Sequence, residues 1–332
     1  MTRSLVVLPD DSARPIVDAI HSAKRSLRVK MFVLSDPSVL NALVAAHRRK
    51  VTVQVILNGA RRSGQKDNER AQKTLGRAGI LVREGNPAVE LTHEKSMVVD
   101  DASAFVMSCN WVTKNLTETR DYAIVTTNAR DVKEIAEGFD ADWHRHAFQP
   151  PHDTRLVWCP GPGRDRICDF IDRARHRLFV QNERFQDTVV IERLVRAAGR
   201  GVKVHVMARA PHTLKREKLI EGVGGLRILD DMGIKVHKLK HLKLHGKMLL
   251  ADGVAALVGS INLASGSLDE RRELAIEVHD DQVVDRLGKV ARRDWEHSRP
   301  IDLSDEGLLA DLEDRIAEAG HLLSLDGHSD AD

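Results

Sequence analysis

Hydrophobic and polar positions follow two alternating periods in the first part of the chain. An amphipathic pattern predicts a helix over 38–49, and a Val- and Ile-rich run predicts a strand over 51–57. The same alternation predicts a helix over 66–78 and a strand over 80–84. Alternating helices and strands favour an α/β sandwich built on a mixed sheet.

The whole pattern occurs twice. Residues 26–32 correspond to residues 177–183, and residues 40–46 correspond to residues 191–197, in both cases 151 positions later. The register continues at an offset of 152 for three further pairs, which are His93 and His245, Asn110 and Asn262, and Trp143 and Trp295. Chance similarity would not hold such a register, so we interpret the chain as two homologous α/β sandwich halves with mixed sheets, related by pseudo-twofold symmetry.

The two halves are predicted to occupy residues 1–150 and 151–300, with Pro150 and Pro151 at the join. Residues 301–332 form a third segment, an acidic helix and tail. The helix is predicted over 304–323 with Ser304 as its N-cap, and residues 326–332 are predicted to be disordered.

Composition indicates a soluble globular protein, with 42% hydrophobic and 30% charged residues among 332. No apolar stretch approaches the roughly 20 residues that cross a bilayer. The three cysteines show neither paired zinc-ligand spacing nor a disulfide framework, and the N-terminus does not resemble a secretory signal. We therefore expect a cytoplasmic protein that can bind peripherally to a membrane.

The net charge of +2 conceals an uneven distribution. Residues 302–332 hold ten Asp or Glu and a single Arg, which leaves 50 basic and 39 acidic residues elsewhere, a surplus of 11. A basic body suits a polyanionic partner, either nucleic acid or an anionic membrane surface.

The repeated segment carries the candidate chemistry. Each half has a His-x-Lys motif flanked by apolar residues, which predicts a strand on which the imidazole and the ammonium share one face. A Ser and an Asn follow each motif and add neutral donors. The motif residues are His93, Lys95, His245 and Lys247, and the donors are Ser108, Asn110, Ser260 and Asn262.

These groups match the needs of a phosphodiester reaction, whose transition state spreads negative charge over nonbridging oxygens. Lysines and neutral donors can hold those oxygens, and two imidazoles can act as nucleophile and general acid. Asp121 and Glu273 each follow their half's histidine by 28 residues. A carboxylate bonded to one ring nitrogen would fix the tautomer and aim the other nitrogen at phosphorus.

These two motifs resemble those of the phospholipase D superfamily, which has a duplicated motif His-x-Lys-x4-Asp followed by Gly-Ser-x-Asn. The resemblance extends through residue 298, and the second copy matches fully, whereas Met107 replaces the glycine of the first copy. It implies a metal-independent, cofactor-free, ping-pong reaction through a covalent phosphohistidine, in which His93 is the nucleophile and His245 the acid. It also implies structural roles for Asp100 and Asp252.

The segments 92–95 and 113–122 are most similar to those of soluble cardiolipin-synthase-like members of that superfamily, so phospholipid is the leading substrate. Two alternatives stay open. One is a nuclease that uses the same chemistry, and the other is an inactive module that only binds phosphate. No obligatory protein partner is expected, because one chain carries both motifs.

The second half has a further histidine cluster and one position that differs from the first half. His237, His241 and His245 have a spacing that suits metal ligands on a helix, but the alternating pattern favours extended chain and no metal site. Glu183 stands where the first half has Phe32, an asymmetry that could shape a substrate pocket.

Overall fold

The structure, a computed structural model, describes residues 2–59, 68–209 and 219–309. The elements of the first half are β1 (Arg3–Leu8), α1 (Arg14–Ser22), β2 (Ser26–Met31), α2 (Pro37–Arg48), β3 (Thr52–Leu57), α3 (Glu69–Arg77), β4 (Leu81–Glu84), β5 (Leu91–Thr92), β6 (Ser96–Val99), β7 (Ser103–Met107), α4 (Thr113–Thr117), β8 (Thr119–Thr126) and α5 (Ala129–His144). Those of the second half are β9 (Leu156–Cys159), α6 (Gly163–Arg173), β10 (Arg177–Asn182), α7 (Thr188–Gly199), β11 (Lys203–Ala208), α8 (Leu219–Asp231), β12 (Lys235–Leu239), β13 (Lys243–Leu244), β14 (Met248–Ala251), β15 (Ala255–Gly259), α9 (Ser265–Asp269), β16 (Arg271–Val278), α10 (Asp281–Glu296) and β17 (Ser298–Pro300).

Each half builds its own mixed sheet. The strand order is β1-β8-β7-β6-β2-β3-β4 in the first sheet and β17-β12-β11-β10-β14-β15-β16 in the second, where β9 also pairs with β16. Strands β2, β3 and β4 run parallel, as do β10, β11 and β12. The other pairs within each sheet are antiparallel. The predicted fold class, two α/β halves with mixed sheets, is confirmed.

Two short strands cross between the halves. Strand β5 of the first half pairs in parallel with β16 of the second half, and β13 of the second half pairs in parallel with β8 of the first. Each of these short strands ends directly before a His-x-Lys motif. The crossing therefore brings both motifs to the boundary between the halves.

Apolar side chains form one core outside each sheet and a third core that both halves share. Met97 and Val99 of β6 lie in the core between the first sheet and its outer helices, whereas Val98 lies in the shared core. In β7, Phe105 likewise belongs to the outer core and Val106 to the shared one. Because successive strand residues point to opposite faces, strands buried on both faces read as continuous apolar runs.

Most predicted elements are present with slightly shifted ends. Helix 38–49 is α2 (Pro37–Arg48), and strand 51–57 is β3 (Thr52–Leu57). Strand 80–84 begins one residue later, at Leu81. Helix 66–78 is observed from Glu69 to Arg77, and its predicted first residues lie outside the described ones.

The third segment is described only as far as residue 309. The hydroxyl of Ser304 accepts a hydrogen bond of 3.0 Å from the backbone N–H of Gly307, as expected of an N-cap. The rest of the predicted helix over 304–323 and the tail lie outside the described residues. Within the described ranges, no helix combines the length and the apolar content that crossing a membrane requires.

Candidate active site

Both His-x-Lys motifs lie in extended segments between two short strands. The prediction that each motif lies on a continuous strand was wrong, because residues 93–95 and 245–247 belong to no strand. Their backbones bond to the opposite half instead. The N–H groups of His93 and Glu94 donate to the carbonyl oxygen of Arg272, at 2.9 and 2.8 Å.

The second motif is held in the same way by the first half. The N–H groups of His245 and Gly246 donate to the carbonyl oxygen of Arg120, at 3.2 and 2.7 Å. A Cβ at Gly246 would lie 2.8 Å from the ring of Tyr122 and 3.1 Å from that same carbonyl oxygen. Glycine is therefore required in the middle of the second motif.

The two acids predicted to orient the imidazoles do bond to them, but each comes from the opposite half. His93 Nδ1 lies 2.9 Å from both carboxylate oxygens of Glu273, and His245 Nδ1 lies 2.8 Å from Asp121 Oδ1. A carboxylate at Nδ1 favours the tautomer that carries its proton there. In each ring Nε2 is therefore the atom available for chemistry.

The two lysines lie beside the histidines of their own motifs. Lys95 Nζ donates to the carbonyl oxygen of His93 at 2.6 Å, and Lys247 Nζ donates to that of His245. All four side chains are nearly buried, and those of His93 and His245 keep 10% and 12% exposure. The charge of Lys247 acts on both His93 and Lys95, so the two imidazoles and the two lysines form one cluster at the boundary between the halves.

Burial and charge set the protonation of the first histidine. Burial, reinforced by the positive charges of Lys95 and Lys247, holds the pKa of His93 well below its usual value. His93 is therefore neutral near pH 7, the form in which Nε2 has a free electron pair. Burial also lowers the pKa of Lys95 to about 7 and raises that of Glu273 to about 7.

The predicted serine and asparagine donors differ in their surroundings. Ser108 Oγ donates to Asp121 Oδ1 at 2.6 Å, and Ser260 Oγ accepts a bond of 3.0 Å from the N–H of Leu274. Both hydroxyls are fully buried. The structure places these serines against the acid-bearing strands β8 and β16, where they can fix the carboxylates.

Asn110 and Asn262 show the opposite behaviour. Each amide oxygen is buried and has no hydrogen-bond partner among the described residues. Unpaired polar atoms are rare in protein interiors, and they occur here at the same position of both halves. Each amide oxygen can accept a hydrogen bond from a hydroxyl group or a water molecule that enters the site, so the asparagines are better placed than the serines to contact an incoming ligand.

The aspartates that end each motif face away from the histidines. Asp100 accepts backbone N–H bonds from residues 24–26, and Asp252 accepts them from residues 175–177. Although partial burial opposes it, these bonds lower the pKa of both carboxyls. Each aspartate fastens the turn that follows its motif to the start of β2 or β10.

Glu183 is the site residue that the predicted catalytic set lacks. Its carboxylate lies 2.8 Å from Lys247 Nζ and 3.7 Å from His245 Nε2, and Arg209 lies 2.9 Å from its other oxygen. Only the residue correspondence between the halves signalled it, because that correspondence pairs Glu183 with Phe32.

The histidine spacing that suggested a metal site has another explanation. His237 stacks on Trp295 with ring centres 4.0 Å apart, and its Nδ1 lies 2.6 Å from Ser298 Oγ. His245 instead bonds to Asp121. Among the residues that the structure describes, no group of three or more His, Cys, Asp or Glu is arranged to hold a metal ion.

Met107 fits because the two halves pack differently at this position. The Met107 side chain is fully buried in the outer core of the first half. A Cβ at Gly259 would lie 2.2 Å from the carbonyl oxygen of Leu274 and 2.4 Å from Ala275 Cα, which are atoms of the neighbouring strand. The motif glycine is thus required by close strand approach in the second half only.

We expect Gly259→Ala to lower the free energy of unfolding by about 1–3 kcal/mol, because the neighbouring strand must move. Urea unfolding measures this. Gly199→Ala is the matched control, since nothing lies within 4 Å of a Cβ at Gly199. It should stabilise by about 0.4–1 kcal/mol or change nothing. Equal values for the two variants would disprove the close approach.

Comparisons with known proteins agree with this architecture. The family described as cardiolipin synthase, PLD-like domain, where PLD stands for phospholipase D, matches residues 16–143 and again residues 167–295. Cardiolipin synthase B of Salmonella typhimurium is 25% identical over a match that covers 80% of this chain and 73% of the relative.

Two solved structures share the fold. Phosphatidylserine synthase from Haemophilus influenzae Rd KW20 has a TM-score of 0.73 at 11% identity, covering 96% of this chain and 94% of that one. Polyphosphate kinase from Porphyromonas gingivalis has a TM-score of 0.70 at 18% identity, covering 90% of this chain. This chain spans only 48% of that kinase. At these identities the likeness concerns the fold alone.

Proposed function

Since the chain belongs to the family of PLD-like domains of cardiolipin synthases, we propose that it hydrolyses phospholipid phosphodiesters or transfers their phosphatidyl group. The reaction proceeds through a covalent phosphohistidine. One observation carries the proposal. Each of two imidazoles has Nδ1 bonded to a carboxylate of the opposite half and a lysine ammonium beside it.

In the first step, the electron pair on Nε2 of His93 attacks phosphorus, and the bond from phosphorus to the leaving alcohol breaks. His245 gives its Nε2 proton to the departing oxygen. In the second step, His245 removes a proton from water or an alcohol whose oxygen attacks phosphorus, and the N–P bond breaks. The protein returns to its starting protonation state.

The cationic groups stabilise the charge that develops in both steps. Lys95 and Lys247 are placed to hold the nonbridging oxygens, and the side-chain N–H groups of Asn110 and Asn262 can donate to the same oxygens. In this scheme the lysines provide the positive charge at phosphorus, so the reaction needs no metal ion. The serines act through the acids, because Ser108 bonds to Asp121 rather than to the open side of the site.

Phospholipid is the leading substrate because the matched family and the Salmonella relative are described as cardiolipin synthases. Whether water or an alcohol accepts the phosphatidyl group depends on what the site admits in the second step.

A nuclease is the second candidate, and the surface beside the second motif favours it. A groove of about 180 Å³ adjoins that motif at Leu244, and none of its described lining residues is acidic. Its cations are Arg209, Lys238, Lys240, Lys243 and Arg299. Such a groove can follow a phosphate backbone. An inactive phosphate-binding module is the third reading.

The test incubates the purified protein in EDTA with phosphatidylglycerol vesicles, phosphatidylcholine vesicles, and single- or double-stranded DNA or RNA. We expect release of glycerol or choline without nucleic-acid cleavage. Cleavage of nucleic acid alone would replace the lipid proposal with the nuclease. No turnover of any substrate, with equal binding by wild type, His93→Ala and His245→Ala, would favour the binding module.

A further inference from the structure

The twofold symmetry of the site is broken beside the histidines. Next to His93 lies the ring of Phe32, with ring centres 4.7 Å apart. Next to His245 lies the carboxylate of Glu183, 3.7 Å from Nε2. The motif residues and the orienting acids are otherwise matched between the halves, so this difference gives the two imidazoles different surroundings.

Glu183 is ionised in these surroundings. Burial alone would raise its pKa, but the positive charges of Lys247, His245 and Arg209 bring the pKa well below its usual value. Lys247 Nζ and Arg209 each bond to one of its oxygens. A buried carboxylate that keeps its charge favours a proton on a neighbouring imidazole.

Charged groups from several elements meet around His245. The carboxylates are Asp121 at Nδ1 and Glu183 near Nε2, and the cation of its own motif is Lys247. Lys95 of the other motif is electrostatically coupled to Lys247 and to both of these carboxylates. Among the described residues, Glu183 is thus the anion that forms an ion pair with the ring nitrogen that must carry the transferred proton.

Among the described residues, no carboxylate forms an ion pair with Nε2 of His93, and the charge of Glu183 reaches His93 only as a minor influence beside burial and the lysine charges. Glu273 occupies Nδ1, and the Phe32 ring packs against the imidazole and also lies 5.3 Å from Lys95 Nζ. An aromatic ring does not neutralise an imidazolium as a carboxylate does, so it leaves the neutral, nucleophilic form of His93 favoured.

We propose that Glu183 is a positioning residue that holds the proton on Nε2 of His245. It thereby makes the second half the side where the alcohol leaves and the acceptor enters. This inference rests on the proposed function and deepens it. The proton passes from His245 to the leaving oxygen in the first step, and it returns to His245 from the acceptor in the second.

A purely structural role for Glu183, as a partner for Lys247 and Arg209, predicts a different outcome. Losing a structural contact would slow every substrate alike. Losing support for a general acid slows only those substrates whose leaving group needs a proton. The dependence on the leaving group therefore separates the two roles.

The experiment compares two short-chain phosphatidyl esters, one of glycerol and one of p-nitrophenol, in EDTA. The ratio kcat/KM reports the steps through departure of the first alcohol. We expect Glu183→Gln to lower kcat/KM for the glycerol ester about 100-fold. The p-nitrophenyl ester, whose leaving group departs without a proton, should lose less than about threefold.

Two further variants serve as controls. Phe32→Leu changes the matching position on the nucleophile's side and should slow both esters by the same factor. Glu183→Asp retains the charge and should recover much of the preference that Glu183→Gln loses, which a packing role would not require. It also provides the measurement if the glutamine variant fails to fold.

The outcomes separate the two proposals. If wild type turns over neither ester, the proposed function fails. If wild type turns over both and Glu183→Gln slows them equally, the proposed function stands and the role of Glu183 is wrong.

Discussion

Replacing His93 by asparagine should lower kcat/KM for a p-nitrophenyl phosphodiester by about 10⁴-fold or more, since removal of a catalytic nucleophile has effects of that order. Asparagine can still bond to Glu273, so the fold should be retained. A good leaving group cannot compensate, because no other atom at this position can form the bond to phosphorus. Stopped assays of p-nitrophenol release measure the effect.

Circular dichroism and the unfolding midpoint provide the control for His93→Asn. Both should match wild type. A variant that is folded and retains more than about a tenth of the activity would show that His93 is not the nucleophile.

Replacing Lys30 by methionine should lower the free energy of unfolding by about 3–5 kcal/mol, the usual cost of breaking a buried ion pair on one side. The Lys30 side chain is fully buried, with Nζ 2.9 Å from Glu94 and 2.7 Å from Asp142. Arg272 is the second partner of Asp142. Without Lys30, Asp142 keeps Arg272, but the buried Glu94 loses its ammonium partner and keeps the hydroxyl of Ser96.

The loss should also reach the active site. Arg272 holds the backbone of the first motif through its carbonyl oxygen, and its side chain bonds to Asp142. Urea unfolding with Lys133→Met as a matched control checks the stability. Lys133 pairs with Glu137 on an exposed helix surface, and the control should change stability by less than about 0.5 kcal/mol. Equal losses would contradict the energetic role of the buried cluster.

Most of the fold could be predicted from the sequence, because the duplication gave each element two independent observations. Helix 38–49 and strand 51–57, for example, have counterparts 151 residues later that show the same periodicity. The four motif residues could be found in the same way. A single His-x-Lys pair would have been indistinguishable from a solvated strand face.

The cross-half partnership of the acids could not be predicted. Asp121 lies 28 residues after His93 but bonds to His245, because β13 pairs with β8 and brings the second motif to the start of that strand. The separation along the sequence does not reveal which half supplies the acid, because the strands that pair across the halves are only two residues long.

The role of Glu183 was hidden for a related reason. In the sequence it follows β10 as an ordinary polar residue, and its bond to Lys247 spans 64 positions. The residue correspondence showed only that the halves differ there. What the difference means depends on the 3.7 Å separation from His245 Nε2.

The most direct test of the central claim uses His245→Asn with a bis(p-nitrophenyl) phosphate substrate. With this substrate the first step needs no acid, because p-nitrophenolate leaves without a proton. In the variant, the second step lacks its general base. We predict a burst of p-nitrophenol stoichiometric with protein and an acid-labile phosphoryl adduct on His93, located by mass spectrometry. The double variant His93→Asn/His245→Asn should form no adduct. An adduct on another residue, or steady turnover without an adduct, would contradict a phosphohistidine at His93.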